Sequence, residues 1–242
     1  MPESELWVTR IFNDHLAGMG NSILGLVGVH PEPRPWADFV VMQLLVVAFL
    51  MAVFALLRPR LSVDRPGGFQ HAGELIYGFV HGQSEDQLGH EGPRYMAYFG
   101  TIFLFILTSN LIGLIPWFES PTMNAPVTLG CALATFVYYN LVGIQAHGVL
   151  YPATFLGPKW WLAPLMFPIE VVSHLARLLS LTVRLYANMF AGEQVTLVFL
   201  KLTFFAVPAV FMGLHVFVGL VQAYIFMLLA MVYVGGAVAH EH

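Results

Sequence analysis

Charged side chains are scarce in this sequence. Asp, Glu, Lys and Arg together make up 10% of its 242 residues, against about 25% in an ordinary soluble domain. Hydrophobic residues reach 58%, and the mean hydropathy is +0.73. This balance excludes an ordinary soluble domain and indicates a polytopic membrane protein. The net charge of -4 comes without a basic patch, so we expect no nucleic-acid partner.

Cysteine is almost absent as well. The one cysteine, Cys131, lies inside an apolar run, which excludes a disulfide within the chain and a CxxC metal site. The ten histidines show no metal-ligand spacing. A nucleophile beside a base, a Gly-rich phosphate loop and an HExxH motif are also missing. We therefore expect no metal, no cofactor and no enzymatic conversion of a small molecule.

The N-terminal region lacks the positive charge of a secretory signal peptide. Glu3 and Glu5 stand where that charge would be, so we expect the mature protein to keep its first residues. Residues 1–36 are predicted to form an extramembrane segment, with a short amphipathic helix stopped by the prolines of HPEPRP.

Three apolar stretches in the first part of the chain are long enough to cross a bilayer core of about 30 Å. They are residues 37–57, 95–116 and 127–146. Arg58, Arg60 and Arg65 follow the first span, so the positive-inside rule places that end in the cytoplasm and the N-terminus outside.

A polar loop separates the first two spans. Residues 66–94 are predicted to be a cytoplasmic loop that contains an amphipathic, interfacial helix around 69–82. Its His71, Glu74 and His81 are interpreted as a solvated face.

The last third has unusual proportions. Residues 161–239 contain two apolar stretches, Leu162–Ala191 and Val195–Ala239, separated by AGEQ. A helix over the second stretch would be about 67 Å long, twice the hydrocarbon thickness. Either Pro208 divides it or the helices are strongly tilted. The predicted fold is therefore all-α, with about five membrane-crossing helices, an interfacial helix and a long, strongly tilted C-terminal hairpin whose end is cytoplasmic.

A polar stripe runs through the most apolar part of the chain, between Pro168 and Glu193. At 100° per residue, seven-residue spacing drifts by only about 20°, and residues four apart share a side. This places the following residues on one side of a helix: Glu170, His174, Arg177, Arg184 and Asn188. A charge at the bilayer centre costs from about 2.5 to more than 10 kcal/mol. Such a row faces protein or water and indicates an ion path.

Arg184 is the strongest single signal in the stripe. Its guanidinium keeps its charge, so it cannot carry protons, but it can favour ionisation of a neighbouring carboxyl group. The alternative is a structural arginine paired with Glu170 or a helix carbonyl. Glu170, Glu193 and His215 are candidate proton acceptors. His215 and Gln222 share a face of the last helix, although a lone histidine can equally be a hydrogen-bonded packing residue.

Other polar residues near the stripe have less specific interpretations. Arg177 and His174 can anchor the cytoplasmic end of the helix. We interpret Tyr138, Tyr139 and Asn140 as packing and interfacial residues.

Three motifs together resemble one known family. LSLTVRLYANMFAGE at 179–193 is similar to the signature of subunit a of the F-type ATP synthase. NLIGLIP at 110–116, followed by ESPTMN, and HxxxxxxQAYIF at 215–226 fit the same family in order and spacing. The resemblance covers the chain from the second span to near its C-terminus.

The resemblance implies a role for each matching residue. Arg184 matches the essential stator arginine that faces the carboxylates of the c-subunit ring. Glu193, His215, Gln222 and Asn188 match the half-channel open to the outside. The half-channel open to the cytoplasm would contain Glu170, Ser173 and His174. One departure is Gly113, because some members carry an acidic residue at that position, three residues after Asn110.

The resemblance also implies partners and a location. The partners would be the c-subunit ring, the b-subunit peripheral stalk, other ATP synthase subunits, membrane lipid and translocated protons. The location would be the inner membrane of a bacterium. The subunit would conduct protons without catalysing ATP chemistry itself.

Three other classes of protein fit the sequence less well. A secondary transporter would show internal repeats and broken helices in paired positions, and the sequence has no such repeat. A membrane protein with a purely structural role would not need a charged residue such as Arg184 deep in the bilayer. An intramembrane enzyme would need a nucleophile or a metal set.

Overall fold

The computed structural model describes residues 5–26, 28, 30–62, 67–115, 117–148, 163–202 and 206–238. Within these ranges all regular secondary structure is helical. Five stretches are long and apolar enough to cross a membrane: Asp38–Arg60, Gly68–Ile112, Ala125–His147, Pro164–Leu202 and Val207–Val238. The predicted fold class, an all-α polytopic membrane protein, is confirmed. The ends of the predicted 161–239 hairpin, residues 161–162 and 239, lie outside the described residues.

The N-terminal helix α1, Trp7–Leu26, is held by the chain that follows it. Asn13 exchanges two hydrogen bonds with the backbone of Trp36, at 3.0 and 3.1 Å. Asn21 does the same with the backbone of Glu32, at 3.0 Å each. The proline-rich segment has few backbone donors of its own, so these amides fix it along α1. Trp7 also packs edge-on against Phe118, which places α1 beside the segment that contains Phe118.

Helix α2, Asp38–Leu57, is apolar on all sides. Only Val41, Met42 and Val46 are buried in it, while Phe49, Met51 and others are exposed. An all-round apolar surface is typical of a helix that contacts lipid. The helix ends in the short 3₁₀ turn Arg58–Arg60.

Helix α3, Gly68–Leu88, corresponds to the predicted amphipathic helix, and a 3₁₀ turn at Gly89–Glu91 joins it to α4, Gly92–Ile112. A Cβ atom on Gly92 would lie 2.4 Å from the Ser84 carbonyl oxygen, so only glycine allows the start of α4 to pack this closely against the backbone of α3. His71 and Glu74 are exposed, as predicted, whereas His81 is half-buried. Tyr224 donates a 2.9 Å hydrogen bond to Gln83, which fixes α3 against the last helix.

The remaining helices are α5, Ala125–His147, α6, Ala163–Leu202, and α7, Ala206–Val238. The core lies where α4, α5, α6 and α7 meet. Its fully enclosed side chains come from all four helices and include Ile106, Ala132, Leu185, Met189, Ala223 and Met227.

The boundary between the two long helices differs from the predicted segmentation. Helix α6 continues through AGEQ to Leu202, because a single glycine is tolerated in a helix and Thr196 bonds back to the Gly192 carbonyl at 2.8 Å. The next described helix, α7, begins at Ala206, and Pro208 lies in its first turn, where its missing N–H costs nothing. With 40 and 33 residues, the two helices would be about 60 and 50 Å long, well beyond the hydrocarbon thickness.

Candidate proton-conducting site

The polar residues predicted from the sequence form two clusters along α6, with Arg184 between them. Asn188 and Glu193 lie on one side of Arg184, and Glu170, Ser173 and His174 lie on the other. At 1.5 Å per residue, Glu193 is about 13 Å and Glu170 about 21 Å along the axis from Arg184. We call these groups the outer cluster and the inner cluster.

The outer cluster joins α6 to α7. Asn188 Nδ2 donates a hydrogen bond of 2.9 Å to Oε1 of Gln222, and both His215 and Gln222 are buried. The imidazole of His215 lies against the backbone of Gly192. A Cβ atom on residue 192 would lie 2.6 Å from Nδ1 of His215, so the missing side chain provides room for the imidazole. Glu193 follows directly and is half-buried.

A buried hydrogen-bond chain fixes the connection between α4 and α5 beside this cluster. Asn110 donates to the Gly219 carbonyl at 2.9 Å and accepts from Thr122 Oγ1 at 2.7 Å. Ser120 lies 2.8 Å from Thr122 and donates to the Ser109 carbonyl at 2.8 Å. Gly219 lies one helical turn from both His215 and Gln222. The connection is therefore tied to α7 at the level of the outer cluster.

Glu119 is part of this connection and lies near the outer cluster. It precedes the anchored Ser120, and its charge interacts with that of Glu193. The space that an acidic side chain at position 113 would need is filled by Ser120. A Cβ atom on Gly113 would lie 2.8 Å from Cβ of Ser120. In this chain the connection between α4 and α5 thus fills the space beside Gly113, and the carboxylate at the outer cluster comes from Glu119 instead.

Arg184 makes one hydrogen bond in the described part of the chain, from Nη2 to Ser180 Oγ at 3.3 Å. Among the ion pairs formed by the described residues, none includes Arg184. Pairing with Glu170, the structural alternative, would have to bridge the rise of about 21 Å. Three exposed residues on the helix face that carries Arg184 are small, namely Ser180, Ala187 and Ala191, while the larger Val183 and Phe190 are exposed beside this face.

The inner cluster joins α6 to α5. His174 is buried; its Nε2 lies 3.4 Å from Oε1 of Glu170, and its Nδ1 lies 2.5 Å from Oη of Tyr139. Arg177 lies over the ring of Tyr233, 5.4 Å from its centroid. Ser173 is half-buried on the same helix.

Sequence reasoning missed several residues at these clusters. Asn110, Glu119, Ser120 and Thr122 are polar residues in the NLIGLIP and ESPTMN motifs, and these motifs were the signal available for them. Tyr139 was interpreted as a packing residue. Its contact with His174 depends on how α5 and α6 meet, which no local pattern indicates.

Metal binding has no support in the described ranges, where no group of three or more His, Cys, Asp and Glu side chains could hold an ion. The clusters instead contain groups that exchange protons and form hydrogen bonds. Polar residues along long apolar helices, with an arginine between them that forms no ion pair among the described residues, indicate an ion-conducting membrane subunit.

Comparison with known proteins identifies the family. The ATP synthase A chain family matches residues 40–235. ATP synthase subunit a of Solibacter usitatus is 68% identical over 233 residues, covering 96% of this chain and all of the relative. The Koribacter versatilis subunit a is 48% identical, with 98% of each chain covered, and that of Geobacter sulfurreducens is 41% identical, with 85% and 90% covered. The chain belongs to the ATP synthase subunit a family, which confirms the resemblance found in the sequence.

Proposed function

We propose that this chain is the proton-translocating stator subunit of an F-type ATP synthase, which couples proton flow to rotation of the c-subunit ring and to ATP synthesis. One observation carries the proposal. Two separate polar clusters lie on opposite sides of Arg184 along α6, and Arg184 has no ion-pair partner among the described residues. The relatives named ATP synthase subunit a support it.

The outer cluster is the half-channel open to the outside. A proton enters past Glu193 and His215 and neutralises a rotor carboxylate, with Asn188 and Gln222 as polar residues of the same path. The neutral rotor site can then turn into lipid, where a charged site would be too costly.

The inner cluster is the half-channel open to the cytoplasm. After nearly a full turn the rotor carboxylate releases its proton near Glu170, with Ser173 and His174 beside it. Each elementary charge that crosses 100 mV supplies about 2.3 kcal/mol, so the ring accumulates several protons for each ATP.

Arg184 separates the two half-channels. Its permanent charge stabilises the ionised rotor carboxylate and blocks a direct leak of protons between the clusters. The exposed Ser180, Ala187 and Ala191 support this role, because small residues allow a neighbouring membrane helix to approach closely.

The proposed partners are the c-subunit ring, the b-subunit peripheral stalk, other ATP synthase subunits and membrane lipid. The chain carries protons and does not catalyse the ATP reaction. The proposed location is the inner membrane of a bacterium, with the N-terminus outside and the C-terminus in the cytoplasm.

Disulfide trapping in the assembled complex tests the proposed rotor face. Native Cys131 is replaced by Ala, and single cysteines are placed at the exposed Ser180, Val183 and Ala187 in membranes whose c subunits carry a cysteine near their carboxylate. Buried Leu185 and Met189 serve as controls on the same helix. Cross-links at the exposed positions alone are expected. Equal cross-linking at the buried positions, or none on the Arg184 face of an assembled complex, would contradict the proposal.

The Arg184→Ala variant tests the coupling. ATP-driven proton pumping into inverted vesicles should be abolished, while the complex still assembles and a passive leak becomes possible. Retained pumping would refute the role of Arg184.

A further inference from the structure

One hydrogen-bonded group connects α5 to the inner cluster. Tyr139 is 2% exposed, and its hydroxyl lies 2.5 Å from Nδ1 of His174. The two rings are stacked with their centroids 5.5 Å apart. On the other side of the imidazole, Nε2 faces Oε1 of Glu170 at 3.4 Å. Each ring nitrogen of His174 therefore has an oxygen partner, one from α5 and one from α6.

These two contacts link the position of the proton on the His174 ring to the protonation of Glu170 and to the direction of the Tyr139 hydrogen bond. If Tyr139 donates to Nδ1, the neutral imidazole carries its proton on Nε2, facing the Glu170 carboxylate. In the other tautomer Nδ1 donates to Tyr139 Oη, and Nε2 presents a lone pair to Glu170, which is favourable only when that carboxyl group is protonated. The protonation of Glu170 therefore selects the hydrogen bond that Tyr139 makes.

We propose that Tyr139 is a positioning residue of the cytoplasmic half-channel. Its hydroxyl fixes the orientation and tautomer of His174, so that Nε2 is held toward Glu170. This inference rests on the proposed function, since it assigns Tyr139 to the path by which protons leave toward the cytoplasm.

The surroundings keep Tyr139 and His174 in this arrangement. Phe136, one turn earlier on α5, packs edge-on against both rings, at 5.4 and 6.1 Å. Tyr233 of α7 lies 5.9 Å from the Tyr139 ring. Among the residues that the structure describes, the titratable and charged groups facing this site are Glu170 and Arg177 from α6, Tyr139 from α5 and Tyr233 from α7.

The test uses the Tyr139→Phe variant in the whole ATP synthase, in inverted membrane vesicles. Their outer face is the cytoplasmic one, so the pH on that face can be varied while ATP-driven pumping is measured. Tyr98→Phe is a matched control, because Tyr98 also donates an interhelical hydrogen bond to α5, to Thr135 at 2.8 Å, away from His174.

Loss of the Tyr139 hydroxyl should slow pumping about 2- to 10-fold, the range that one hydrogen bond supplies. The midpoint of the cytoplasmic pH profile should also shift by about half to one unit. Tyr98→Phe should leave the midpoint unchanged. The double variant Tyr139→Phe/His174→Gln should pump no more slowly than His174→Gln alone, because both changes remove the same contact.

A profile for Tyr139→Phe that matches those of the native protein and Tyr98→Phe would overturn the proposal, and so would additive effects in the double variant. If Tyr139→Phe does not assemble, a fluorinated tyrosine at position 139 keeps the size and the hydroxyl while making it more acidic. An unchanged pH profile would then overturn the proposal, and a shifted midpoint would support it.

Arg184→Ala in the same vesicles separates this inference from the proposed function. If Arg184→Ala abolishes pumping and Tyr139→Phe behaves like Tyr98→Phe, only the role of Tyr139 fails. If Arg184→Ala pumps normally, the proposed function itself fails.

Discussion

Asn188 on α6 donates a hydrogen bond of 2.9 Å to Gln222 on α7, one turn beyond Arg184. This contact links the arginine-bearing helix to the helix that carries His215. It lies where the proposed outer half-channel would reach the rotor, and the side chain of Gln222 is buried.

Removing either partner of this contact should impair proton pumping. Asn188→Leu and Gln222→Leu each leave a polar group without its partner, at a cost of about 1–3 kcal/mol when it is buried. We expect each single variant to slow ATP-driven pumping several-fold and the double variant to add little. Pumping rates in vesicles with equal amounts of assembled complex check this. Strictly additive losses would show that the two side chains act separately.

Gly192→Ala should impair pumping without impairing assembly. A change from glycine to alanine inside a helix normally stabilises it by about 1 kcal/mol, but here the new methyl group would lie 2.6 Å from Nδ1 of His215. The imidazole must rotate away from the outer cluster, so we expect at least a several-fold loss of pumping. Gly130→Ala in α5 is the control, since nothing lies within 4 Å of its new atom. Equal rates in the two variants would contradict this role of Gly192.

Gly113 should not tolerate the acidic residue that some family members carry there. Its φ of −66° suits any residue, so the restriction comes from Ser120, 2.8 Å from a Cβ atom at position 113. Overpacking of this kind costs about 1–3 kcal/mol. We expect Gly113→Ala to lower the amount of subunit retained in membranes and Gly113→Asp to lower it further, measured by immunoblotting. Gly100→Ala, in open space on the same helix, should match the native protein, and normal retention of Gly113→Asp would exclude the crowding argument.

Periodicity in the sequence was enough to predict much of this architecture. The apolar run at 37–57 corresponds to α2, and the seven-residue spacing predicted that His215 and Gln222 share one face of the last helix, the face that lies against α6. Contacts between distant segments were not predictable in the same way. The hydrogen bond of Asn188 with Gln222 depends on how α6 and α7 pack, and the contact of Tyr139 with His174 depends on how α5 and α6 cross.

The position of Glu119 shows the same limit at the candidate site. The family resemblance marked Gly113 as the place of a missing acidic residue and gave no role to Glu119. The buried hydrogen bonds of Ser120, Thr122 and Asn110 hold the connection between α4 and α5 beside the outer cluster. Such a network joins residues more than 100 positions apart, from Asn110 to Gly219, and no local spacing encodes it.

The two ends of the helix bundle should face opposite sides of the membrane. Trp7 contacts Phe118 at one end, and His147 lies 3.1 Å from the Ala237 carbonyl at the other. In a background with Cys131→Ala, a cysteine at Asp14 should react with a membrane-impermeant maleimide from the outside only. A cysteine at His90 should react from the cytoplasmic side only. Labelling of both from one side would be incompatible with the proposed orientation.

Glu119 should contribute to proton entry together with Glu193. The carboxylates interact electrostatically, and the anchored Ser120 holds Glu119 at the outer cluster. A negative charge at this point raises the local concentration of protons near the entrance. We expect Glu119→Gln to slow ATP synthesis driven by an imposed proton gradient several-fold, with a smaller effect of Glu119→Asp. Glu85→Gln, an exposed carboxylate beside His81 on α3, is the control. If Glu119→Gln synthesises ATP as fast as Glu85→Gln, then Glu193 suffices for entry and the charge of Glu119 has no part in it.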